Sequence, residues 1–380
     1  MQLRTQTAGL AVAAVLAAFV STTARAGMAF DEQTLGPLFR YFSDSDHVGV
    51  RSVMGDYAFT LPSQVGLSLH WNNEQVTIPA IRAPVGSQEA VDAITTASRP
   101  IAGNAFQDFV KVRNEFQGEL SRGGAGLAYY YSTESDYFAH QLAGHYDLDL
   151  VHQQLDLSLG SSYGWDDIEP LADDRSPTAA STKTTLHVDA VATQVVSPRT
   201  MIRYGLEYNV VDGLQHNPYR HVYAGGTNVP ERHPDHRARR DAFVKLNRWF
   251  ENRSSVRLSY RLYDDDWGIV SHELSSKLSQ YVTQGMFVRW QYRYYTQTPA
   301  YFYRDEYLST SGVDGYLSGD YRVGPLAAHL FGVALHFDLG ILAANAPYLD
   351  RTGLTVGYER YFNRNNYSAD ILETAVEFTF

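Results

Sequence analysis

Charged side chains recur at positions two or four apart within residues 254–297, and the chemistry they could perform is electrostatic. On an extended chain, positions separated by an even number of residues point to the same side. If these segments form neighbouring strands, their charges make one wall of mixed sign. Charges held close to a permeation path select solutes by charge. The members of this predicted wall are Arg257, Arg261, Glu273, Lys277, Arg289 and Arg293.

Two interpretations of this wall remain open. In the first, it is the constriction of a pore and lines the lumen of a channel. In the second, the charges pair with one another and fill a narrow interior, because buried charges require partners. Five of the six residues are basic, so a pore built from them would favour anions.

An acidic run, Asp264-Asp265-Asp266, precedes Trp267-Gly268. Clustered carboxylates bind hard cations when several oxygens converge on one point. Three consecutive side chains point in different directions, however, and the run lacks the spacing of a calcium-binding loop. The sequence therefore favours an acidic surface turn, with Trp267 beside it as an anchor at a membrane interface.

Imidazole and guanidinium groups are concentrated in residues 216–240. Pro234 and the flanking charges disfavour a helix around His233 and His236, so no common face is enforced for these two rings. Structural zinc sites also usually include thiolates, and the chain has no cysteine. No metal site is predicted here. We expect a basic loop that contacts lipopolysaccharide phosphates or folds into a lumen. Its members are His216, His221, Arg232, His233, His236, Arg237, Arg239 and Arg240.

Ser271 and His272 are the residues closest to a nucleophile and base pair. Nucleophilic catalysis requires the two side chains to meet, but neighbours on a strand face opposite sides. No other triad is evident in the sequence. We predict neither an enzyme nor a cofactor, and an outer-membrane lipid hydrolase remains the least favoured alternative.

The elements that carry these residues are predicted to be strands. Residues 202–210, 256–263, 286–295 and 329–338 alternate between apolar or aromatic positions and polar positions, which is the period of a β-strand. About ten residues is also the length of a tilted membrane strand. A water-soluble sandwich shares this period but rarely sustains such lengths with charges on one face and aromatics on the other. We predict an all-β fold, a transmembrane antiparallel β-barrel.

The strand number is predicted as 14, within a range of 12–16. Up to sixteen segments can be found from about residue 50 onward. That arrangement places the long connections 76–106, 164–181 and 212–237 at the same end as the C-terminus. In outer-membrane barrels the long connections lie at the opposite end. The conflict indicates a wrongly assigned segment near each end of the chain.

The N-terminus predicts export. Arg4, the apolar residues 8–20 and Ala24-Arg25-Ala26 match a cleavable signal peptide, predicted as residues 1–26. The apolar core is shorter than the roughly 20 residues of a spanning helix. Residues 27–49 are predicted as a periplasmic lead-in and residues 50–380 as the barrel. Its long loops are expected at about 76–106, 164–181, 212–237 and 298–314.

Composition and the C-terminus favour the same compartment. Residues 1–26 contain two of the 31 basic residues and no acidic one, so the remaining chain carries a net charge of −13. This charge argues against nucleic acid as a partner, because phosphate binding requires a basic surface. The 27 tyrosines and 18 phenylalanines suit the aromatic girdles of a membrane barrel. Residues 372–380 alternate like a closing strand and end in Phe380. We therefore expect recognition of this strand by the barrel-assembly machinery of a Gram-negative outer membrane.

Seven short stretches, spread over nearly the whole chain after the signal peptide, resemble the DUF3570 family of proteobacterial outer-membrane proteins. The strongest is Tyr260-Arg261-Leu262-Tyr263-Asp264-Asp265-Asp266-Trp267-Gly268. The resemblance implies a barrel and brings no catalytic residue, ligand or cofactor. The other stretches are residues 42–46, 92–100, 135–137, 217–220, 293–297 and 320–322.

The functional prediction is a channel or export-associated barrel with a mixed-charge lumen, surrounded by outer-membrane lipid and lipopolysaccharide. The alternative is a structural or docking barrel, plugged by residues 76–106 and serving a periplasmic partner. The two differ in permeability, because only the plugged barrel should become permeable when its plug is removed.

Overall fold

A closed antiparallel barrel of sixteen strands forms the body of the protein. The computed structural model describes residues 32–45, 48–78, 109–151, 154–172, 176–342 and 349–379. The predicted signal peptide, most of the predicted plug and Phe380 lie outside these ranges. The strands are β1 (Glu32–Asp44), β2 (Gly49–Thr60), β3 (Gly66–Ile78), β4 (Phe109–Arg122), β5 (Ala125–Thr133), β6 (Tyr137–Asp149), β7 (Leu155–Ile168), β8 (Ser181–Ser197), β9 (Thr200–Gly213), β10 (His221–Ala224), β11 (Thr227–Pro230), β12 (His236–Phe250), β13 (Ser254–Asp265), β14 (Val270–Tyr281), β15 (Met286–Gln297), β16 (Leu326–Asp338), β17 (Thr352–Asn363) and β18 (Ser368–Thr379).

Each barrel strand pairs with its neighbours along the chain, except that β9 pairs directly with β12. The short strands β10 and β11 form a separate two-stranded sheet within the connection between β9 and β12. The first and last strands close the cylinder, with Thr34 opposite Thr379 and Tyr41 opposite Leu372. A closed cylinder leaves no unpaired edge, so every barrel strand has a neighbour on both sides. The prediction of a closed antiparallel barrel is confirmed.

The strand number is sixteen, two more than the predicted 14 and at the limit of the predicted range. The additional strand at the N-terminus is β1, which occupies most of the segment 27–49 that was assigned to a periplasmic lead-in. That assignment was wrong because Gly36 and Pro37 interrupt the apolar pattern of the strand. When β1 is counted as the first strand, the long connections no longer fall at the same end as the C-terminus.

With β1 included, the two ends of the barrel differ as they do in outer-membrane proteins. The end where β18 finishes carries short turns at 61–65, 123–124 and 198–199, and we call it the turn end. The opposite end, which we call the loop end, carries the connections 169–180, 214–235 and 298–325. Short turns face the periplasm and long connections face outward in such barrels.

The outward face of the barrel is apolar. Leu127, Leu206, Leu274 and Leu372 are each at least half exposed, and they belong to strands all around the cylinder. An apolar surface this extensive requires an apolar surrounding medium. It forms the lipid-facing band of a membrane barrel. Among the described residues, no helix is long and apolar enough to cross a membrane.

Three histidines on the outward face, close to the loop end, share one arrangement. In each, a tyrosine hydroxyl on the preceding strand is hydrogen-bonded to the histidine Nδ1, so the imidazole has a polar partner at an interface. One of the three is His272, which therefore faces away from the inward, buried Ser271. The pairs are Tyr129–His140 and Tyr260–His272, both at 2.7 Å, and Tyr292–His329 at 3.0 Å.

Candidate functional site

A cavity of about 960 Å³ occupies the lumen. Its walls come from β18 and β1–β4 on one side and from β12–β17 on the other. The space exists because small side chains face inward on several of these strands, and a short side chain leaves the lumen unfilled. Among them are Ser52, Ser259, Ser275, Ala334 and Gly357.

The structure brings the six predicted wall residues together. Arg257, Glu273, Lys277, Arg289 and Arg293 line the large cavity. Arg261 lines a second cavity of about 500 Å³ nearer the loop end, and Glu273 borders both spaces. In the strand register, Arg257 lies opposite Lys277 and Arg261 lies opposite Glu273. The predicted ladder on β13–β15 is therefore continuous.

On the wall formed by β1–β4 and β18, positive and negative side chains are paired. Arg40 Nη2 lies 2.7 Å from Glu373 Oε2. Arg113 Nη2 lies 3.6 Å from Glu74 Oε1 and 3.5 Å from Glu115 Oε1. Two arginines face three glutamates in these contacts, so this wall carries a small net negative charge.

The opposite wall contains four cations without a carboxylate partner among the described residues. We call this set, Lys245, Arg257, Lys277 and Arg289, the basic wall. Arg257 donates to Asn247 Oδ1 at 2.6 Å and Arg289 donates to Ser279 Oγ at 3.2 Å, so their contacts are with neutral groups. Uncompensated charge in a confined lumen attracts ions of the opposite sign.

Two of the predicted residues belong instead to the paired network. Arg261 contacts Asp241 at 2.6 Å and Glu207 at 2.8 Å. Arg293 lies 3.9 Å from Glu273. Each of the two open interpretations therefore describes part of the wall, and the uncompensated part is the basic wall.

A folded cap covers the loop end. It consists of residues 214–235 and 298–325, and we call it the lid. Its first segment contains the β10–β11 hairpin, which turns at Gly225 and Gly226 with φ of +58° and +84°. Positive φ at both central residues is the geometry of a tight hairpin turn, for which glycine is the least strained residue.

Two small apolar clusters give the lid its own core. In the first, Phe302 is fully buried and packs against Trp267 in an edge arrangement, with the two ring centroids 5.2 Å apart. In the second, Leu317 and Ala224 are fully buried beside Tyr307. Burial of side chains of this size stabilises a segment by roughly 1.5–3 kcal/mol each. The lid is thus a packed element.

The lid spans the barrel mouth along a diameter. Tyr219 donates its hydroxyl hydrogen bond to Asp136, in the β5–β6 connection, and accepts one from the amide of Leu171 at 3.0 Å. Its neighbour Arg220 pairs with Asp320, in the β15–β16 connection. Eight strands separate these two connections in either direction around the barrel. Because Tyr219 and Arg220 are adjacent, the connections from opposite sides of the barrel must meet at these two residues, and together they bridge the opening.

Buried charge joins the two lid segments. The Arg220 Nη1 atom lies 2.5 Å from Asp320 Oδ1, and the arginine side chain is inaccessible to solvent. Burial alone would raise the pKa of Asp320, but Arg220 and Arg322 hold it below its ordinary value. Glu231 Oε1 accepts from the Gly319 amide at 2.8 Å and from Ser318 Oγ at 3.1 Å. The lid therefore depends on a small set of desolvated polar groups.

Burial raises the pKa of Glu231 to about 7, even though Arg220 opposes the rise. The protonated form therefore stabilises the lid, fully below about pH 4.5 and progressively less as pH rises through about 7. Conductance is expected to rise between about pH 4.5 and about pH 7. Burial and His216 keep His233 neutral by lowering its pKa to about 3. Glu231→Gln should remove the pH dependence of the conductance. If the conductance of this variant rises with pH as much as that of the wild type, the dependence belongs to another group.

Trp267 corrects one prediction. It was expected as an interfacial anchor but is only 2% exposed, in the core of the lid. Its Nε1 donates to the carbonyl of His236 at 2.9 Å, and the Arg237 guanidinium lies over its ring at 4.1 Å. The prediction was wrong because tryptophan at a strand end suits a lipid interface and a folded connection equally well.

The acidic run does not converge on one point. Asp265 is buried and pairs with Arg237 at 2.6 Å, whereas Asp264 points toward Arg240 at 3.4 Å. Asp266 lies 3.7 Å from His236. The turn is therefore only partly a surface feature, because its central residue belongs to the lid support. Within the described ranges, no three His, Cys, Asp or Glu side chains are grouped as a metal site.

The histidine-rich segment was expected as a basic loop, and most of it folds into the lid. His233 is buried against Phe302 and Trp267. Arg237 and Arg239 line the 500 Å³ cavity beneath the lid. Sequence reasoning did not identify the partners Asp136, Tyr219, Arg220 and Asp320. A signal was present, since three stretches of the family resemblance (135–137, 217–220 and 320–322) contain them.

Solved structures with a similar fold are outer-membrane barrels. The siderophore receptor PirA from Pseudomonas aeruginosa is 11% identical, with a TM-score of 0.42 over 87% of this chain and 56% of that one. The chain thus spans little more than half the receptor's length. OpdK from Pseudomonas aeruginosa, solved with vanillate, is 9% identical and has a TM-score of 0.41. The match covers 93% of this chain and 100% of OpdK. A loop-deletion mutant of OmpT from Vibrio cholerae is 9% identical and has a TM-score of 0.43. The match covers 93% of this chain and 99% of the mutant.

Likeness at these identities is limited to the fold. A comparison with curated proteins found no match. The model of a family described as a protein of unknown function, DUF3570, matches residues 57–368, which is most of the barrel. With its closed barrel, its apolar outer face and this match, the chain belongs to the DUF3570 family of outer-membrane β-barrel proteins.

Proposed function

We propose that this barrel is a channel for small anions whose loop end is covered by the lid. The observation that carries the proposal is the basic wall, where four cations face a cavity of about 960 Å³ without carboxylate partners among the described residues. Seven basic side chains line this cavity against the carboxylates of Glu74, Glu273, Glu359 and Glu373, so a positive excess remains. A lumen with fixed positive charge concentrates anions and repels cations.

The test is the reversal potential of the purified barrel in a planar bilayer separating two potassium chloride concentrations. Its sign should show that chloride passes more readily than potassium. Conductance of the wild-type protein is expected to be small, because the lid spans the mouth. Cation preference would contradict the proposal, as would an absence of current both in the wild type and in a variant with a released lid.

A docking barrel remains the second candidate, and the lid is the observation that favours it. A closed loop end suits a protein that serves a periplasmic partner through its turn end. The plug proposed from the sequence, residues 76–106, lies mostly outside the described residues, whereas the lid uses other segments. Chemical crosslinking in cells distinguishes the candidates, because a docking barrel should yield a stable periplasmic adduct and show no anion current after lid release.

A further inference from the structure

Aromatic side chains line the lumen between the basic wall and the turn end. Phe287 precedes Arg289 by two residues, so it faces inward like the arginine. Tyr281 and His336 lie directly opposite Phe287 on the neighbouring strands and share its face. Trp249 follows Lys245 by four residues, on the same face of β12. We call Trp249, Tyr281, Phe287 and His336 the aromatic stripe.

The members of the stripe form a continuous series of ring contacts. Phe287 stacks on His336 with centroids 4.5 Å apart and contacts Tyr281 at 5.3 Å. Tyr281 meets Trp249 in an edge arrangement at 6.0 Å. Yet Trp249 is 41% exposed and Tyr281 is 36% exposed. Large inward-facing rings that remain accessible present unoccupied faces to whatever enters the lumen.

The stripe and the basic wall meet at Arg289. Its guanidinium lies over the Phe287 ring at 5.3 Å, and Ser279 accepts a hydrogen bond from its Nε. This contact keeps the cation beside the aromatic surface. At the same place, His336 is hydrogen-bonded to Thr355, which lines the large cavity. The aromatic stripe therefore begins at Arg289 and Thr355, which line the large cavity, and extends from there toward the turn end.

We propose that this place is a recognition site for small organic anions that carry an aromatic ring. The carboxylate would approach Arg289 and Lys277 while the ring lies against Tyr281 and Trp249. An ion without an apolar body uses only the charge, and a neutral ring uses only the stripe. The proposal rests on the proposed anion channel only for the movement of such solutes through the barrel.

Binding is tested with the full barrel in detergent by titration calorimetry, which does not require current. Benzoate is the probe, and acetate and benzamide separate its two parts. Benzoate should bind more tightly than either. Trp249→Leu combined with Tyr281→Leu should weaken benzoate binding by about three- to tenfold, the value of a lost ring contact or two, and leave acetate unchanged. Arg289→Gln should weaken benzoate and leave benzamide unchanged.

Trp290→Leu is the matched control, because Trp290 is on the same wall but faces lipid and is 45% exposed. If this variant loses benzoate as strongly as the double variant, the probe is partitioning into the lipid face and the site does not exist. Equal affinity for benzoate and acetate in the wild type would also overturn the proposal. Reversal potentials separate the two hypotheses. A barrel that selects anions over cations but does not prefer benzoate refutes only the site. A barrel that prefers benzoate but does not select anions over cations refutes only the channel.

Discussion

Replacing Arg220 with alanine is expected to open the loop end of the barrel. The arginine is inaccessible to solvent and pairs with Asp320, so its loss leaves a buried carboxylate without its partner. Breaking a buried pair in this way costs about 3–5 kcal/mol. Arg220→Ala should shift the balance between closed and open lid by on the order of a hundredfold or more. The fraction of time for which a single barrel conducts should rise accordingly.

Arg304→Ala is the control for this prediction, since Arg304 is an exposed lid arginine whose side chain contacts backbone carbonyls. It should conduct like the wild type. Tyr219→Phe supplies a milder change, removing only the hydroxyl that joins the lid to Asp136. If Arg220→Ala assembles normally and conducts no more than Arg304→Ala, the lid does not close the barrel.

Reversing two charges of the basic wall is expected to invert ion selectivity. Arg257 and Lys277 lie directly opposite each other in the strand register, and both line the large cavity. At ~8 Å a unit charge contributes from about 0.5 kcal/mol in a water-like lumen to about 2 kcal/mol at an effective dielectric constant of ~20. Replacing both with glutamate should change the anion-to-cation permeability ratio by on the order of tenfold or more.

The matched control keeps both charges and exchanges the residue types, as Arg257→Lys with Lys277→Arg. It should retain the wild-type selectivity, because only geometry has changed. Glutamate at both positions with no effect on reversal potential would show that ions pass elsewhere. A loss of anion preference in the control would instead assign the selectivity to specific contacts of these two side chains.

The barrel strands could be predicted from the sequence because one physical constraint acts along the whole chain. A side chain on a membrane strand faces either lipid or lumen, and this choice repeats every two residues. The alternation around Arg257 and Leu258 therefore places the first inward and the second outward without knowledge of any neighbour. The local pattern failed at β1, where Gly36 and Pro37 weaken it.

The lid could not be predicted in the same way. Its contacts join Asp136, Tyr219, Arg220 and Asp320, which come from three connections distant along the chain. No periodicity marks such residues, because irregular backbone has no fixed face. Glu231 illustrates the difficulty, since in sequence it is an ordinary charged loop residue. Only the folded arrangement shows that it is buried against Ser318 and Gly319.

The position of the lid attachments determines how the mouth can open. Residues 214–235 are covalently joined to β9 and β12, and residues 298–325 are joined to β15 and β16, so both segments are rooted on one half of the cylinder. The hydrogen bonds of Tyr219 with Asp136 and with the Leu171 amide are the far, non-covalent attachments. If both break, we expect the lid to move about its covalent attachments. The gap should then form above β5–β8, while the basic wall on β12–β15 stays beneath the attached side.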